Sequence, residues 1–335
     1  MSLLPPLSPW QQRAYEQACG TMRAGYFGHA TLIVGPEHIG KRLFAEHLAR
    51  RVLCLSPLAD GEACGTCKSC HLFASRAQME PLEVRPDGAP SHPWGHSAHP
   101  DLLFVGYENN TKTGKPRSEL VIEQIRGISD KLGLTSQLGG AQVVIVDPTD
   151  AINWNAFNAL LKTLEEPQPG RYLWLLASNL ARLPATIRSR CQRLELRLPP
   201  RDEALQWLQT RGHQVSLAEE ALDAARGHPG LADAWITGDG LALRRDVQKD
   251  AQALQRGQAE ALEVAQRWAA DGRAPERLRH LAELVLQQAS GLTDAGAART
   301  LAERFDAANR ARGLLSTTVR ADLAIMEALL GWRAK

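Results

Sequence analysis

Short apolar runs alternate with longer amphipathic stretches over about the first 200 residues. The runs that predict strands are residues 30–34, 102–105, 143–146, 172–177 and 194–198. The first four are almost continuously apolar, as in strands buried on both faces, whereas the last is interrupted by Glu195 and Arg197 and fits a sheet edge. Between the runs, apolar residues recur at helical spacing, as in residues 45–52 and 157–164. The alternation predicts an α/β fold with a five-stranded parallel sheet.

The pattern changes after Pro199 and Pro200, beyond which the sequence predicts helices only. Breaks at residues 226–230 and 237–240 divide this part into helical lengths. We therefore predict an α/β domain and two helical domains, over residues 1–198, 199–238 and 239–335. Large aromatic residues in helical domains are more often core than interface, and this expectation covers Trp235, Trp268 and Trp332.

Composition narrows the class of protein. The chain has 39 Lys and Arg against 37 Asp and Glu, a formal net charge of +2, so it shows no overall basic excess of the kind that marks nucleic-acid-binding domains. No apolar stretch approaches the ~18 residues of a membrane span, and the start MSLLPP lacks a signal-peptide pattern. We expect a cytoplasmic protein with reduced cysteines, in which a cysteine cluster indicates a metal rather than disulfides.

A phosphate-binding loop is predicted where residues 35–42 (GPEHIGKR) follow the first strand and open a helix. Backbone N–H groups between Gly35 and Gly40 would surround phosphates, and Lys41 would reach the terminal ones. The last position, however, is Arg42 instead of the Ser or Thr whose hydroxyl binds Mg²⁺. A guanidinium has no lone pair for a metal, so we do not expect Mg²⁺ to bind.

A second defect follows residues 142–147 (QVVIVD), which resemble a Walker B strand whose Asp147 would support Mg²⁺. The next position in a hydrolysing enzyme of this type is Glu, but here it is Pro148, which has no acid–base chemistry. Glu37 also adds negative charge to the loop. We predict loss of hydrolysis, whereas ATP binding stays open because Lys41 and both glycines remain. The alternative is an unrelated strand–loop–helix with a chance Gly-Lys pair.

A cysteine cluster follows the phosphate-loop helix. The C-x9-C-x2-C-x2-C pattern consists of Cys54, Cys64, Cys67 and Cys70. Four thiolates bind Zn²⁺ tetrahedrally and leave no open position, so the pattern predicts a structural zinc module over residues 54–70. A chance cluster of thiols and an iron–sulfur centre are the alternatives. Cys19 and Cys191 lie apart, and we expect them to be buried thiols.

Residues 79–120 are polar and rich in Pro, Gly and His, with one predicted strand. We expect most of this segment to be surface loop. It contains His92, His96 and His99, which raise the question of a metal site. Because prolines and a glycine hold the segment extended and no acidic or Cys residue lies among the histidines, we interpret them as solvated loop histidines.

Two further peptides are specific, residues 158–167 (NALLKTLEEP) and residues 184–191 (PATIRSRC). Together with the four-cysteine insertion and residues 99–102 (HPDL), they resemble the clamp-loader branch of the AAA+ ATPases. The resemblance covers residues 8 to about 200. It implies an AAA+-type sheet with a zinc insertion, then a small helical lid domain and an all-helical collar domain that holds a ring together.

The resemblance also implies a function and partners. It implies a subunit of the bacterial DNA polymerase III clamp loader, which places a sliding clamp on primed DNA within a hetero-pentameric ring of gamma/tau and delta subunits. Because active relatives keep Lys-Ser/Thr and Asp-Glu pairs, the defects here favour a non-hydrolysing subunit. The alternative is a catalytically active subunit of gamma/tau type. A third hypothesis is a nucleic-acid-binding knuckle, with the mildly basic neighbours Lys68, His71 and Arg76.

The resemblance further assigns a catalytic motif, which maps onto Ser189, Arg190 and Cys191. Its arginine acts in trans on ATP bound by the neighbouring subunit, where an arginine finger neutralises charge on the transferred phosphoryl group. A subunit without its own hydrolytic site would thus complete another's. From the residues alone, the alternative is a surface arginine or a salt-bridge partner.

Two sensor positions also follow from the resemblance. The first-sensor polar residue maps onto Ser178 or Asn179, between which the sequence does not decide. The second-sensor arginine of active relatives aligns with Gly230, in residues 227–231 (GHPGL). This replacement agrees with a lost nucleotide function.

Overall fold

The fold is that of a computed structural model, which describes residues 4–86, 88–110, 114–166, 168–289, 292–315 and 317–332. Its contacts divide the chain into two compact units, residues 1–207 with 227–231 and residues 208–226 with 232–335. The three domain ranges expected from the sequence stay a prediction. Pro167 of the NALLKTLEEP peptide and residues 1–3 of the N-terminus lie outside the described residues.

The secondary structure consists of strands in the first part of the chain and helices throughout. The strands are β1 (Ala30–Val34), β2 (Arg76–Ala77), β3 (His96–Ser97), β4 (Leu102–Val105), β5 (Gln142–Val146), β6 (Arg171–Ala177) and β7 (Gln192–Glu195). The helices that lie before or between these strands are α1 (Pro9–Arg23), α2 (Lys41–Leu53), α3 (Lys68–Ala74), α4 (Ile122–Gly133), α5 (Asn158–Glu165) and α6 (Ala185–Arg188). The helices after β7 are α7 (Arg201–Thr210), α8 (Val215–Ala224), α9 (Pro229–Thr237), α10 (Gly240–Gln255), α11 (Ala261–Ala270), α12 (Ala274–Ala289), α13 (Ala295–Leu314) and α14 (Ala321–Leu330).

The predicted five-stranded parallel sheet is confirmed, with the strand order β4-β5-β6-β1-β7. The register pairs Val34 of β1 with Ala177 of β6, and Val105 of β4 with Val146 of β5. The carboxyl ends of these strands therefore meet at one edge. The phosphate loop, Asp147 and Ser178 all follow strand ends there, which is where parallel α/β sheets bind ligands.

Both faces of the sheet are covered, which explains its continuous apolar runs. On one face, Leu32 and Val144 pack with Leu160 of α5 in one buried cluster. On the other face, Ile33 and Ile145 pack with α1 and α2 in a second cluster. Successive strand residues thus enter different cores, so both alternating positions must be apolar.

Two strand predictions need correction, and one pair of strands was missed. The run at 102–105 is not buried on both faces, because β4 lies at the sheet edge and only Val105 is fully buried. The edge strand β7 ends at Glu195 and does not continue to residue 198. The short antiparallel pair of β2 and β3 was not predicted, because two-residue strands have too little apolar periodicity to be detected.

The second unit has a helical core. Among the described residues after Pro200, no strand occurs. Helices α10 to α14 contribute to one buried cluster, which includes Trp268 and Trp332. Trp235 is also buried and packs edge-on against His280, so the expectation of core tryptophans is confirmed. In the part of the chain that the structure describes, no helix is both long enough and apolar enough to cross a membrane.

Candidate functional site

The phosphate loop is held in shape by the first helix. Ser8 caps α1 in a capping box with Gln11, whose Oε1 accepts from the Ser8 N–H at 2.8 Å. The same side chain donates through Nε2 to the carbonyl oxygens of Ile39 (3.1 Å) and Gly40 (3.0 Å). Gly40 has a φ of +87°, and a Cβ there would lie 1.9 Å from Gln11 Nε2. The positive φ favours glycine at this position.

Lys41 is engaged by its own loop. Its ammonium donates to the carbonyl oxygens of Gly35 and Pro36, both at 2.9 Å, and to the Ser178 hydroxyl at 2.8 Å. An ammonium has three donors, so all of them are used, and the residue is buried. Burial lowers the pKa of Lys41, which Asp147 and Asp150 oppose.

Arg42, at the position where active loops carry Ser or Thr, is buried in a set of polar contacts. Its Nε donates to Glu46 at 2.5 Å, and its guanidinium stacks on Phe104 at 3.1 Å from the ring centroid. Its terminal nitrogens donate to the Ser91 carbonyl and to His92 Nδ1, both at 3.3 Å. The Arg42 side chain is therefore buried in the interior of the protein, where it is held by polar partners, and does not lie on the surface.

Asp147, at the Walker B position, is bound by arginine. Arg85 Nη2 donates to its Oδ2 at 2.8 Å, and Arg42 Nη1 lies 3.9 Å from the same oxygen. Glu46 bridges Arg42 to Arg76, whose Nη1 lies 2.6 Å from Glu46 Oε2. Charges of opposite sign thus alternate along a mostly buried chain. A divalent cation added at Asp147 would meet repulsion from two guanidinium groups, so these residues do not fit Mg²⁺.

The polar segment before β4 packs against Arg42 through Ser91 and His92. Glu83 Oε2 lies 3.3 Å from His92 Nε2 and 3.1 Å from His96 Nε2, and the two rings stack 3.6 Å apart. Their ligand atoms lie within 4.8 Å of one another. However, both Nε2 atoms face the same oxygen of Glu83. Because Arg42 donates to His92 Nδ1, the proton of His92 is on Nε2, facing Glu83. The geometry therefore indicates a hydrogen-bonded cluster rather than a metal site.

The interpretation of three solvated histidines was wrong. His92 and His99 are each only 3% exposed, and His96 is half-buried. Burial and the Arg42 charge lower the pKa of His92 to about 2, so its ring is neutral at physiological pH. His99 Nε2 lies 2.8 Å from the Ser69 hydroxyl of α3. These contacts connect the segment to the α/β domain.

The sensor positions are clearly distinguished by their contacts. Ser178 accepts from Lys41, whereas the Asn179 side chain accepts from the Ala181 N–H and caps a short turn. Of the two candidates, Ser178 is the one that reaches the loop. Gly230 lies against the loop as well, since a Cβ there would approach the His38 carbonyl oxygen to 2.0 Å. A sensor arginine would not fit at position 230.

The four predicted zinc ligands do come together. Cys54 ends α2, Cys67 caps α3, and the four sulfur atoms lie within 4.8 Å of one another. Individual Sγ–Sγ distances are 3.6 Å for Cys54–Cys64, 3.9 Å for Cys54–Cys67 and 4.0 Å for Cys64–Cys70. Four sulfurs around one Zn²⁺ at about 2.3 Å would lie about 3.8 Å apart. The geometry fits a tetrahedral metal centre.

Backbone donors around the cluster favour thiolates. The N–H groups of Cys67 and Thr66 lie 3.3 and 3.5 Å from Cys64 Sγ, and that of Cys64 lies 3.3 Å from Cys54 Sγ. The Thr66 and Cys67 N–H groups lower the pKa of Cys64 to about 6, whereas burial raises that of Cys70 to about 12. A bound cation would favour the thiolate form at every ligand.

The Ser-Arg-Cys motif follows α6. The Arg190 side chain is 36% exposed and contacts Glu165 and the Thr186 carbonyl oxygen. Ser189 also donates to that carbonyl, at 3.2 Å. Cys191 packs against the core beside β7, and burial raises its pKa to about 11. The buried-thiol expectation is confirmed for Cys19, whereas Cys191 is half-buried.

Sequence reasoning missed Arg85 and Glu46 in this site and misinterpreted His92 as solvated. A signal existed for Glu46, since it lies one helical turn after Arg42. The hypothesis of a nucleic-acid-binding knuckle is weakened, because Arg76 is not available at the surface. Its side chain is only 6% exposed and pairs with Glu46.

Comparison with known proteins identifies the family. A family model described as DNA polymerase III, delta subunit, matches residues 10–200. The delta' subunit of DNA polymerase III from Pseudomonas aeruginosa is 35% identical over 263 residues, which cover 78% of this chain and 70% of the relative. That of Escherichia coli is 31% identical over 283 residues, covering 83% and 75%. A gamma subunit-related protein from Thermotoga maritima aligns over 96% of this chain and 98% of its own, with a TM-score of 0.47 and 15% identity. The chain therefore belongs to the delta' family of DNA polymerase III subunits.

Proposed function

We propose that the chain is a non-hydrolysing subunit of the DNA polymerase III clamp loader. The observation that carries the proposal is the pairing of Asp147 with Arg85 and Arg42. In a hydrolysing relative this carboxylate supports Mg²⁺, but here two guanidinium groups take the place of the cation. Pro148 adds no general base, and Lys41 donates within its own loop.

We further propose that Arg190 acts as an arginine finger on ATP bound by a neighbouring subunit, with Ser189 and Cys191 completing its motif. Support comes from its partial exposure and from its permanent charge. A finger contributes in trans, so it does not require a working site in its own chain. In this mechanism the neighbouring subunit binds and hydrolyses ATP. This chain contributes the positively charged guanidinium of Arg190.

The proposed partners are the gamma/tau and delta subunits of a hetero-pentameric ring in the cytoplasm, with the sliding clamp and primed DNA reached through the assembled complex. Membership of the delta' family supports this proposal. In this scheme, residues 1–198 carry the degenerate nucleotide fold, residues 199–238 form the lid and residues 239–335 form the collar. Helices α10 to α14, with their common core, would supply that collar.

Zn²⁺ is the proposed metal of the four-cysteine cluster. The four sulfur atoms, spaced 3.6–4.0 Å in three measured pairs, match its tetrahedral coordination. With four thiolates, no position is open for substrate, so the ion would be structural. It would bind the end of α2 to the start of α3.

The test is steady-state ATPase activity of the full chain, alone and in a ring reconstituted with gamma/tau and delta subunits. We expect no activity above background for the chain alone. We expect the ring's turnover to fall about 10-fold or more with Arg190→Ala, since an arginine finger contributes 10³–10⁵ in the strongest cases. Arg188→Ala, two residues away on an exposed side chain, is the matched control.

Two results would contradict the proposal. Magnesium-dependent hydrolysis by the lone chain would instead support a motor subunit of gamma/tau type. Unchanged turnover of the ring with Arg190→Ala would remove the finger. The two failures are independent, because the first concerns Asp147 and its arginines and the second concerns Arg190.

A further inference from the structure

Two of the specific peptides meet in the structure. Arg190 belongs to the PATIRSRC peptide after α6, and Glu165 is the last residue of α5 in the NALLKTLEEP peptide. Arg190 Nε donates to Glu165 Oε1 at 2.8 Å, and its Nη2 lies 2.6 Å from the same oxygen. The third nitrogen, Nη1, donates to the Thr186 carbonyl oxygen at 3.0 Å.

The contacts with Glu165 and Thr186 use only some of the N–H donors of the Arg190 guanidinium. Of its five N–H donors, one on Nε, one on Nη1 and one on Nη2 account for these contacts, which leaves one N–H on each terminal nitrogen. Those two remaining donors are the ones able to bind an anion outside the chain. Both side chains are partly exposed, at 36% for Arg190 and 50% for Glu165, so an external group can approach.

We propose that Glu165 is the positioning residue of the arginine finger. The inference rests on the finger proposed above and adds the residue that holds it. A free arginine side chain samples many rotamers and loses this freedom when it binds phosphate. With Nε and Nη2 fixed by Glu165 and Nη1 by a backbone carbonyl, the side chain is already ordered. Less entropy is then lost when it stabilises the transferred phosphoryl group.

The surroundings fit a positioning role. Glu165 lies at the carboxyl end of α5, whose partial negative charge also favours a nearby cation. The backbone that carries Arg190 is fixed as well, since its N–H donates to the Ile187 carbonyl at 3.2 Å. An exposed ion pair of this kind contributes weakly, so we expect Glu165 to modulate the finger and not to replace it.

The experiment compares variants of the full chain in the reconstituted clamp-loader ring, with ATP as substrate. We expect Glu165→Gln to lower kcat about two- to fivefold with an unchanged KM, as the loss of one exposed ion pair allows. Glu166→Gln removes the same charge one residue away, on an exposed side chain that forms no ion pair with Arg190 in the described structure, and should match the wild type. Glu165→Asp, which keeps the carboxylate, should recover part of the loss.

A double variant separates positioning from a structural effect. In an Arg190→Ala background, Glu165→Gln should cause no further change, since the residue acts only through the finger. Wild-type turnover for Glu165→Gln beside a strong loss for Arg190→Ala would overturn the positioning role and leave the finger intact. A further loss in the double variant would also overturn it. No effect of Arg190→Ala would instead remove the finger itself. Thermal unfolding of each variant confirms that the chain is folded.

Discussion

Glu46 lies between two guanidinium groups in the interior of the α/β domain. Its Oε1 accepts from Arg42 at 2.5 Å, and its Oε2 lies 2.6 Å from Arg76 Nη1. The residue is only 2% exposed, and both arginine side chains are at least 90% buried. Removing one partner from a buried ion pair leaves an uncompensated charge, which is more costly than the pair itself is favourable.

We therefore expect Glu46→Gln to destabilise the protein by about 3 kcal/mol or more. Equilibrium urea unfolding, followed by tryptophan fluorescence, measures the change. Glu16→Gln on the exposed side of α1 is the control and should change the free energy of unfolding by less than about 0.5 kcal/mol. A loss for Glu46→Gln as small as that of the control would show that Arg42 and Arg76 find other partners, and that the chain of buried charges is not a stabilising unit.

Individual site residues differed in how far the sequence could predict them. Lys41 and Asp147 were placed because their strand contexts are local and recurrent. Arg85 could not be placed, since its contact with Asp147 spans 62 positions of the chain and depends on how the polar segment folds back. Arg42 was recognised as a defect, but its burial against Phe104 and His92 became visible only in the fold.

The turn between α2 and α3 is built around the four cysteines. It contains the left-handed residues Gly61 and Gly65 and few buried apolar side chains. Arg51 and Glu62 form an ion pair across its base. A segment with so little apolar burial depends on another source of stability, and a structural metal is the usual one.

We expect the purified chain to contain about one Zn²⁺, and chelation to lower its apparent unfolding temperature by about 5 °C or more. Cys67→Ser should lose the metal, because a hydroxyl is a poor ligand for this ion, whereas Cys19→Ser should retain it. Elemental analysis and a chelator titration monitored by thermal unfolding provide the measurements. Iron in place of zinc, with a visible absorption band, would favour the iron–sulfur alternative. A full complement of zinc in Cys67→Ser would contradict the ligand assignment.

Elements with a long apolar pattern were the easiest to predict. The run at 30–34 matches β1 at both ends, and the runs at 143 and 172 begin one residue late. Their burial on two faces made them continuous in the sequence. The segment before β4 is mostly loop as expected, but the burial of part of it was misjudged for the opposite reason. Its buried residues are polar, among them Ser91, His92 and His99, and they are stabilised by partners far along the chain rather than by apolar contacts.

The whole chain joins a degenerate nucleotide fold to a helical unit, and the family assignment concerns both. The delta' relatives align over 78% and 83% of this chain, well beyond the residues of the phosphate loop. In the function proposed above, the loop no longer binds nucleotide and the fold serves to position Arg190. A ligand that binds the folded state stabilises it, so loss of nucleotide binding can be tested by thermal unfolding of the intact protein.

A ligand that binds only the folded state raises stability by about 2.7 kcal/mol when its concentration is 100 times its Kd. For a chain of this size, such a gain would raise the apparent unfolding temperature by about 4 °C. We expect 5 mM magnesium ATP or ADP to change it by less than about 1 °C, because Lys41, Arg42 and Asp147 are already paired within the chain. A gamma/tau subunit measured beside it is the positive control. A clear rise for this chain would show that its loop opens to phosphate, and Arg42 would then contact nucleotide rather than exclude it.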